Sequence, residues 1–224
     1  MNILHGLSKK YVLIFIVWGV FWEGAKGQQC SPDSIILDTQ EKVNDFNLTE
    51  VNGCLVIGKE GGGTVNSTGI QDLTPLKNLK RVRGKLSISN TNLVSLKGLE
   101  NLQEAESIVI SRNTLLTSLT TFSPLLQVCS ITIQSTALTS LSGLENLKML
   151  NSVNLCELSI NNNKKLTSLK GLENLKEVDI LTISLNDILP SLEGLGQLSV
   201  LNLFVEENKE LRSLNGLENV IVNN

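Results

Sequence analysis

The chemically most capable side chains in this 224-residue chain are four cysteines, Cys30, Cys54, Cys129 and Cys156, and 22 Asp and Glu residues. The single histidine, His5, lies within the first 27 residues. Beyond them there is no imidazole for Ser-His-Asp or Cys-His catalysis and none to ligate a metal. Both tryptophans (Trp18, Trp22) and the one tyrosine (Tyr11) lie in the same stretch, which leaves Phe46, Phe122 and Phe204 as the aromatics of the remainder. Stacking of sugars or bases on Trp or Tyr has nothing to use there. Asp179 and Asp187 stand alone in sequence, whereas Glu100, Glu145, Glu173 and Glu218 recur at one place in a repeated phrase, each followed by Asn. A catalytic pair appears once, while a repeated carboxylate marks stacking, so this series reads as a solvated edge. Gly61-Gly62-Gly63 precedes Thr64-Val-Asn-Ser-Thr68 rather than a helix opening with Lys, so it reads as a loop and not a phosphate cradle. The expectation is a non-enzyme with no cofactor and no metal. The formal charge of -3 lacks the basic footprint of a nucleic-acid binder.

Residues 1–27 read as a secretory signal peptide. Lys9 and Lys10 precede the apolar run Tyr11–Trp22, and small residues follow at Ala25 and Gly27. This is the order of a basic region, an apolar region and a cleavage site. The run is shorter than the ~20 residues that cross a bilayer as a helix. No further span is expected in the mature chain, and its location is expected to be secreted or extracellular.

What must position any functional group in residues 28–224 is a repeat. The phrase Ser-Leu-x-Gly-Leu-Glu-Asn-Leu returns with its first Leu at Leu96, Leu141 and Leu169. Variants place it at Leu73, Leu119, Leu192 and Leu214. Between these phrases lie Leu86-Ser-Ile88, Ile108-Val-Ile110, Ile131-Thr-Ile133, Leu158-Ser-Ile160, Leu181-Thr-Ile183 and Leu203-Phe-Val205. Strict alternation predicts short strands with the outer residues of each triplet inward. The middle residues Ser87, Val109, Thr132, Ser159, Thr182 and Phe204 then face outward, followed two residues on by Ser89, Ser111, Gln134, Asn161, Ser184 and Glu206. After the strand, Asn113, Asn163, Asn186 and Asn208 recur, a residue type that tolerates left-handed backbone and hydrogen-bonds its own chain. Gly98, Gly143, Gly171, Gly194 and Gly216 permit a corner with positive φ. Leucines three residues apart, with Ser and Gly among them, argue for 3-10 or irregular turns rather than an α-helix. Stacked turns of this kind bury a continuous apolar column. The fold class is therefore a mostly β solenoid with one parallel sheet.

Cys129 and Cys156 each lie two residues before a predicted strand, on adjacent turns. Parallel neighbours ~4.8 Å apart fall within disulfide range, so Cys129–Cys156 is predicted, and Cys30–Cys54 by elimination. The alternative is two buried free thiols at 129 and 156. Residues 28–58 read as an N-terminal cap, in which residues 41–48 form a short amphipathic helix over the first turn. Asn47-Leu-Thr49 and Asn66-Ser-Thr68 are N-glycosylation sequons.

Cys54-Leu-Val-Ile-Gly58, preceded by Cys30 and a helical stretch and followed by the repeated leucine phrase, resembles the receptor L domain. That module is the ligand-binding ectodomain unit of insulin-receptor and epidermal-growth-factor-receptor relatives. The resemblance covers about residues 30–224. It implies a right-handed β-helical solenoid related to leucine-rich repeats, which binds an extracellular protein ligand or cell-surface partner through surface residues that vary. The Cys-rich module, second L domain and membrane helix of those receptors are not in this sequence. The run Val220-Ile-Val-Asn-Asn224 stands where a further strand and a cap are expected, either as a shortened strand or as a cut end. The expected function is an extracellular protein-binding or adhesion module, with Ser87, Thr132, Ser159, Thr182 and Phe204 as the candidate binding face. The alternative is a structural repeat protein of a wall, coat or matrix.

Overall fold

A computed structural model describes residues 34–61, 67–122, 125, 127–150 and 155–223. The predicted Leu-x-Ile triplets are the ends of strands in one parallel sheet. In chain order the strands are β1 (Ile35–Leu37), β2 (Glu50–Val51), β3 (Leu55–Gly58), β4 (Arg81–Ser89), β5 (Glu104–Ser111) and β6 (Ser130–Gln134). They continue with β7 (Met149–Leu150), β8 (Glu157–Asn161), β9 (Glu177–Ser184), β10 (Leu198–Glu206) and β11 (Val220–Val222). The main path runs β1-β3-β4-β5-β6-β8-β9-β10-β11, with β2 on β4 and β7 on β9. The chain is a β-solenoid of about 8 turns.

The register is the one alternation demands. Ser87, Val109, Thr132, Ser159, Thr182 and Phe204 are successive partners across five strand pairs. A one-residue slip would turn the inward Ile and Leu to solvent, so burial fixes the pairing. The long strands β4, β5, β9 and β10 contain a corner at which alternation fails. Glu106 and Ser107, Asp179 and Ile180, and Leu201 and Asn202 are consecutive residues that all keep solvent exposure. In β4 the corner is a register shift between Val82 and Lys85. Before the corner a second inward column, Val82, Ala105, Val178 and Val200, is buried.

The leucine phrase forms the opposite wall. Its three-residue spacing closes i→i+3 hydrogen bonds, as in Leu99 N–H to Leu96 O and Leu102 N–H to Leu99 O, and again at Leu144 and Leu147. Two of these turns are regular 3-10 helices, Thr74–Asn78 and Thr120–Phe122. Gly98 has φ +112, and a Cβ there would lie 1.9 Å from the Leu73 carbonyl oxygen of the previous turn. The phrase therefore needs glycine for both conformation and space. The Glu series is more than a solvated edge. Glu100, Glu145, Glu173 and Glu218 each accept the N–H of the glycine two residues earlier, at 2.7–2.9 Å. Each carboxylate thus holds the corner that its own phrase creates.

The capping helix α1 spans Gln40–Asn44 and is shorter than the 41–48 predicted. Thr39 caps it by accepting from Lys42 N–H, and Asp45 ends it. Its one buried residue is Val43, and Phe46 joins the core just beyond it. The strand reading at 220–222 holds as β11. No described helix is long and apolar enough to cross a membrane.

Candidate functional site

A polar ladder runs along the edge where the strands end. Asn113, Asn163 and Asn186 are fully buried. Each Asn side chain accepts through Oδ1 from a backbone N–H one turn back, at Thr91, Thr136, Asn163 and Asn186 for Asn113, Asn163, Asn186 and Asn208 respectively, at 3.0–3.1 Å. Each donates through Nδ2 to a strand carbonyl of the previous turn, at Ile88, Ile133, Ile160 and Ile183. Thr91 and Thr136 take the ladder position where Asn is absent, and their hydroxyls donate to the next Asn Oδ1 at 2.7 and 2.8 Å. The left-handed corner lies one residue before the ladder, not on it. Asn90, Arg112, Ser135, Asn162, Leu185 and Glu207 have φ of 53–59°. The ladder residue itself is selected for its two-ended hydrogen bonding.

Cys129 and Cys156 form the predicted disulfide, with Cα atoms 4.9 Å apart. It lies at the corner column, where Asp179 Oδ2 accepts the Cys156 N–H at 2.8 Å. Cys54 is buried and disulfide-bonded, while Cys30 lies outside the described residues. Asn47 is exposed on the connection from α1 to β2, and Asn66 lies outside the described residues.

The outward sheet face departs from expectation at one end. Ser87 is 0% exposed and Ser89 is 1% exposed, so Ser87 offers no surface to a partner. The chain leaving β3 turns across it. Lys59 N–H bonds Ser89 O, Asn90 Nδ2 donates to Lys59 O, and Arg112 donates to Gly61 O. The Glu60 carboxylate lies over Ser87 and pairs with Lys85 at 2.8 Å. Burial pushes the Glu60 carboxyl up, but hydrogen bonds from Lys85 and Ser87 outweigh it and hold the group below its ordinary range. Ser159 is also buried, at 6%, with its hydroxyl taken by Asn161 Nδ2 at 2.6 Å. Thr132, Thr182 and Phe204 remain partly exposed.

The polar groups of this face are largely satisfied by one another. The Ser184 hydroxyl donates to Asn161 Oδ1 at 2.6 Å, Thr182 to Glu157 Oε1 at 3.3 Å, and Ser89 pairs with Ser111 at 2.8 Å. The face is a flat, internally bonded surface with Phe204 as its one aromatic. Phe46 and Phe122 are in the core. Glu157, Asp179, Ile180 and Asn202 also border the face, and the triplet pattern missed them because alternation breaks at the corner. Five of the six triplets are preceded by two consecutive partly or fully exposed residues, the exception being Leu158, where Cys156 is buried. Among the described residues no group of three or more His, Cys, Asp or Glu is placed to hold a metal ion.

The fold and face define a parallel β-solenoid of leucine-rich turns with one open sheet surface. No family model matches the chain, no curated protein matches it, and no solved structure matches it.

Proposed function

We propose that the chain is an extracellular, non-catalytic protein-binding module of receptor L domain type, exported by residues 1–27 and engaging a protein partner through the face of Thr132, Thr182 and Phe204. The observation that carries this is the open face itself. It is broad and flat, its polar groups are largely bonded to one another, and a partly exposed aromatic side chain, Phe204, stands on it. Such a surface recognises by shape and apolar contact, with the aromatic side chain as anchor. The Cys129–Cys156 disulfide supports the extracellular setting, because such bonds persist in oxidising compartments. The exposed sequon at Asn47 is accessible to glycosylation on the same route, which a mass shift abolished by Asn47→Gln would register.

The test is a screen of displayed extracellular proteins against the secreted chain, repeated with Thr182→Arg and with Lys170→Ala on the leucine wall. A partner lost with Thr182→Arg, which crowds the face, and kept with Lys170→Ala supports the reading. Partners insensitive to Thr182→Arg, or a chain found only in an insoluble matrix, would favour the structural wall or coat reading.

A further inference from the structure

The open half of the sheet face has a charge of one sign. From β5 to β10 its charged side chains are Glu106, Glu157, Asp179, Glu206 and Glu207. None of the five has an ion-pair partner among the described residues. The two basic groups of the face, Lys85 and Arg112, sit at the covered end and are already engaged, by Glu60 and by Gly61 O. On the turns that border the face, Lys164 and Lys209 are both tied to Asp187, at 2.8 and 3.1 Å, and Lys165 is an exposed basic group beside Lys164. The exposed lysines Lys77, Lys97 and Lys170 lie on the leucine wall instead. Phe204, the aromatic of the face, lies within the acidic zone, two residues from Glu206 along β10 and in register with Thr182.

We propose that the open half of this face docks a cationic, extended polypeptide segment that carries an apolar side chain for Phe204. This deepens the binding-module reading and rests on it. With Ser159, Asn161 and Ser184 bonded among themselves and Thr182 donating to Glu157, few side-chain hydrogen bonds remain free for a partner. Discrimination is left to charge and apolar contact. Glu157 and Glu206 lie two strands apart and four residues apart in register, a separation of about 16 Å from strand spacing and rise. An extended segment of about five residues spans that distance. It places basic groups at both carboxylates and an apolar side chain against Phe204.

The experiment titrates the full secreted chain against a labelled synthetic peptide of alternating lysine and leucine, and against its glutamate-leucine counterpart, by fluorescence anisotropy. The lysine peptide is expected to bind and the glutamate peptide to fail. Raising the salt from 0.1 M to 1 M, which shortens the screening length from about 10 to about 3 Å, is expected to weaken binding by roughly tenfold. Glu157→Gln, Glu206→Gln and Glu207→Gln should each weaken it by about two- to fivefold, the range of an exposed ion pair, and Phe204→Ala by about thirtyfold. Equal binding of both peptides, indifference to salt, or retention of binding in the triple Gln variant overturns the proposal. Binding of the lysine peptide that survives Thr182→Arg also overturns it, because the site is then off the face. A displayed partner that is lost with Thr182→Arg but is indifferent to salt and to the Gln variants overturns the cationic assignment and leaves the binding-module reading standing. Failure of both would show instead as no partner sensitive to Thr182→Arg. Self-association abolished by the triple Gln variant would make a second copy the occupant and likewise overturn it.

Discussion

Replacing Asn186 by alanine tests the ladder most directly. The side chain accepts the buried Asn163 N–H at 3.1 Å and donates to the Ile160 carbonyl at 2.9 Å, and Asn186 itself is fully buried. Alanine leaves both backbone groups without their side-chain partner in a region buried from solvent. An orphaned buried polar group costs about 1–3 kcal/mol, so two of them cost about 2–6 kcal/mol before any cavity is counted. With a urea slope near the upper end of about 1–3 kcal/mol/M, a loss of about 4 kcal/mol lowers the midpoint by somewhat more than 1 M. The control is Asn174→Ala, which removes an exposed bond from Asn174 Nδ2 to Glu145 O and should cost no more than about 1 kcal/mol. The assay is urea unfolding followed by circular dichroism, with hydrogen exchange at Asn163 to locate the damage. If Asn186→Ala costs no more than Asn174→Ala, or the Asn163 amide keeps its protection, the ladder does not stabilise the stack as described.

Three further outcomes are expected. Gly143→Ala combines φ +114 with a Cβ 2.1 Å from the Leu119 carbonyl. It should cost about 3 kcal/mol or more in thermal unfolding, against about 0.5 kcal/mol for Ser142→Ala; similar melting temperatures for the two would refute the close approach. Replacing Cys129 and Cys156 together by serine opens a loop of sequence separation 27 and should cost about 3–4 kcal/mol on the chain-entropy argument, read from urea midpoints; an unchanged midpoint counts against it. Hydrogen bonds from Lys164 and then Lys209 hold the Asp187 carboxyl below its ordinary value. A depressed carboxylate contributes stability above its unfolded pKa of about 3.9, and that contribution is lost as pH falls through the lower folded value. Asp187→Asn should therefore flatten the acid limb of the stability profile below about pH 4, and parallel limbs for the two proteins would contradict the charge pairing.

Periodicity made the strand register and the turn positions legible because burial enforces both. Leu86 and Ile88 must point inward on every turn, and nothing but glycine fits where Gly98 passes the Leu73 carbonyl. The Cys129–Cys156 pairing followed from equivalent places on adjacent turns. The corner was hidden, since Glu106-Ser107 and Asp179-Ile180 break the two-residue period and leave the Val82, Ala105, Val178 and Val200 column looking like connection. The burial of Ser87 was hidden for another reason. A segment near Glu60 that shares no periodicity with the repeat folds over it, and only long-range contacts reveal that. The left-handed corners at Arg112, Leu185 and Glu207 carry no residue signature, because the ladder one position later dictates the backbone that precedes it.

The ladder also has a direction. Asn163, Asn186 and Asn208 each complete the backbone of the turn before them. During synthesis, then, the newest turn lacks its full set of partners until the next emerges. Translation at about 5–20 residues per second delivers a further turn of roughly 22–23 residues every one to five seconds. The growing solenoid carries one provisional turn at its leading end throughout elongation. Maturation would then proceed as a front moving toward the C-terminus, and a ribosome pause within a turn would hold that turn in its incomplete state for as long as the pause lasts.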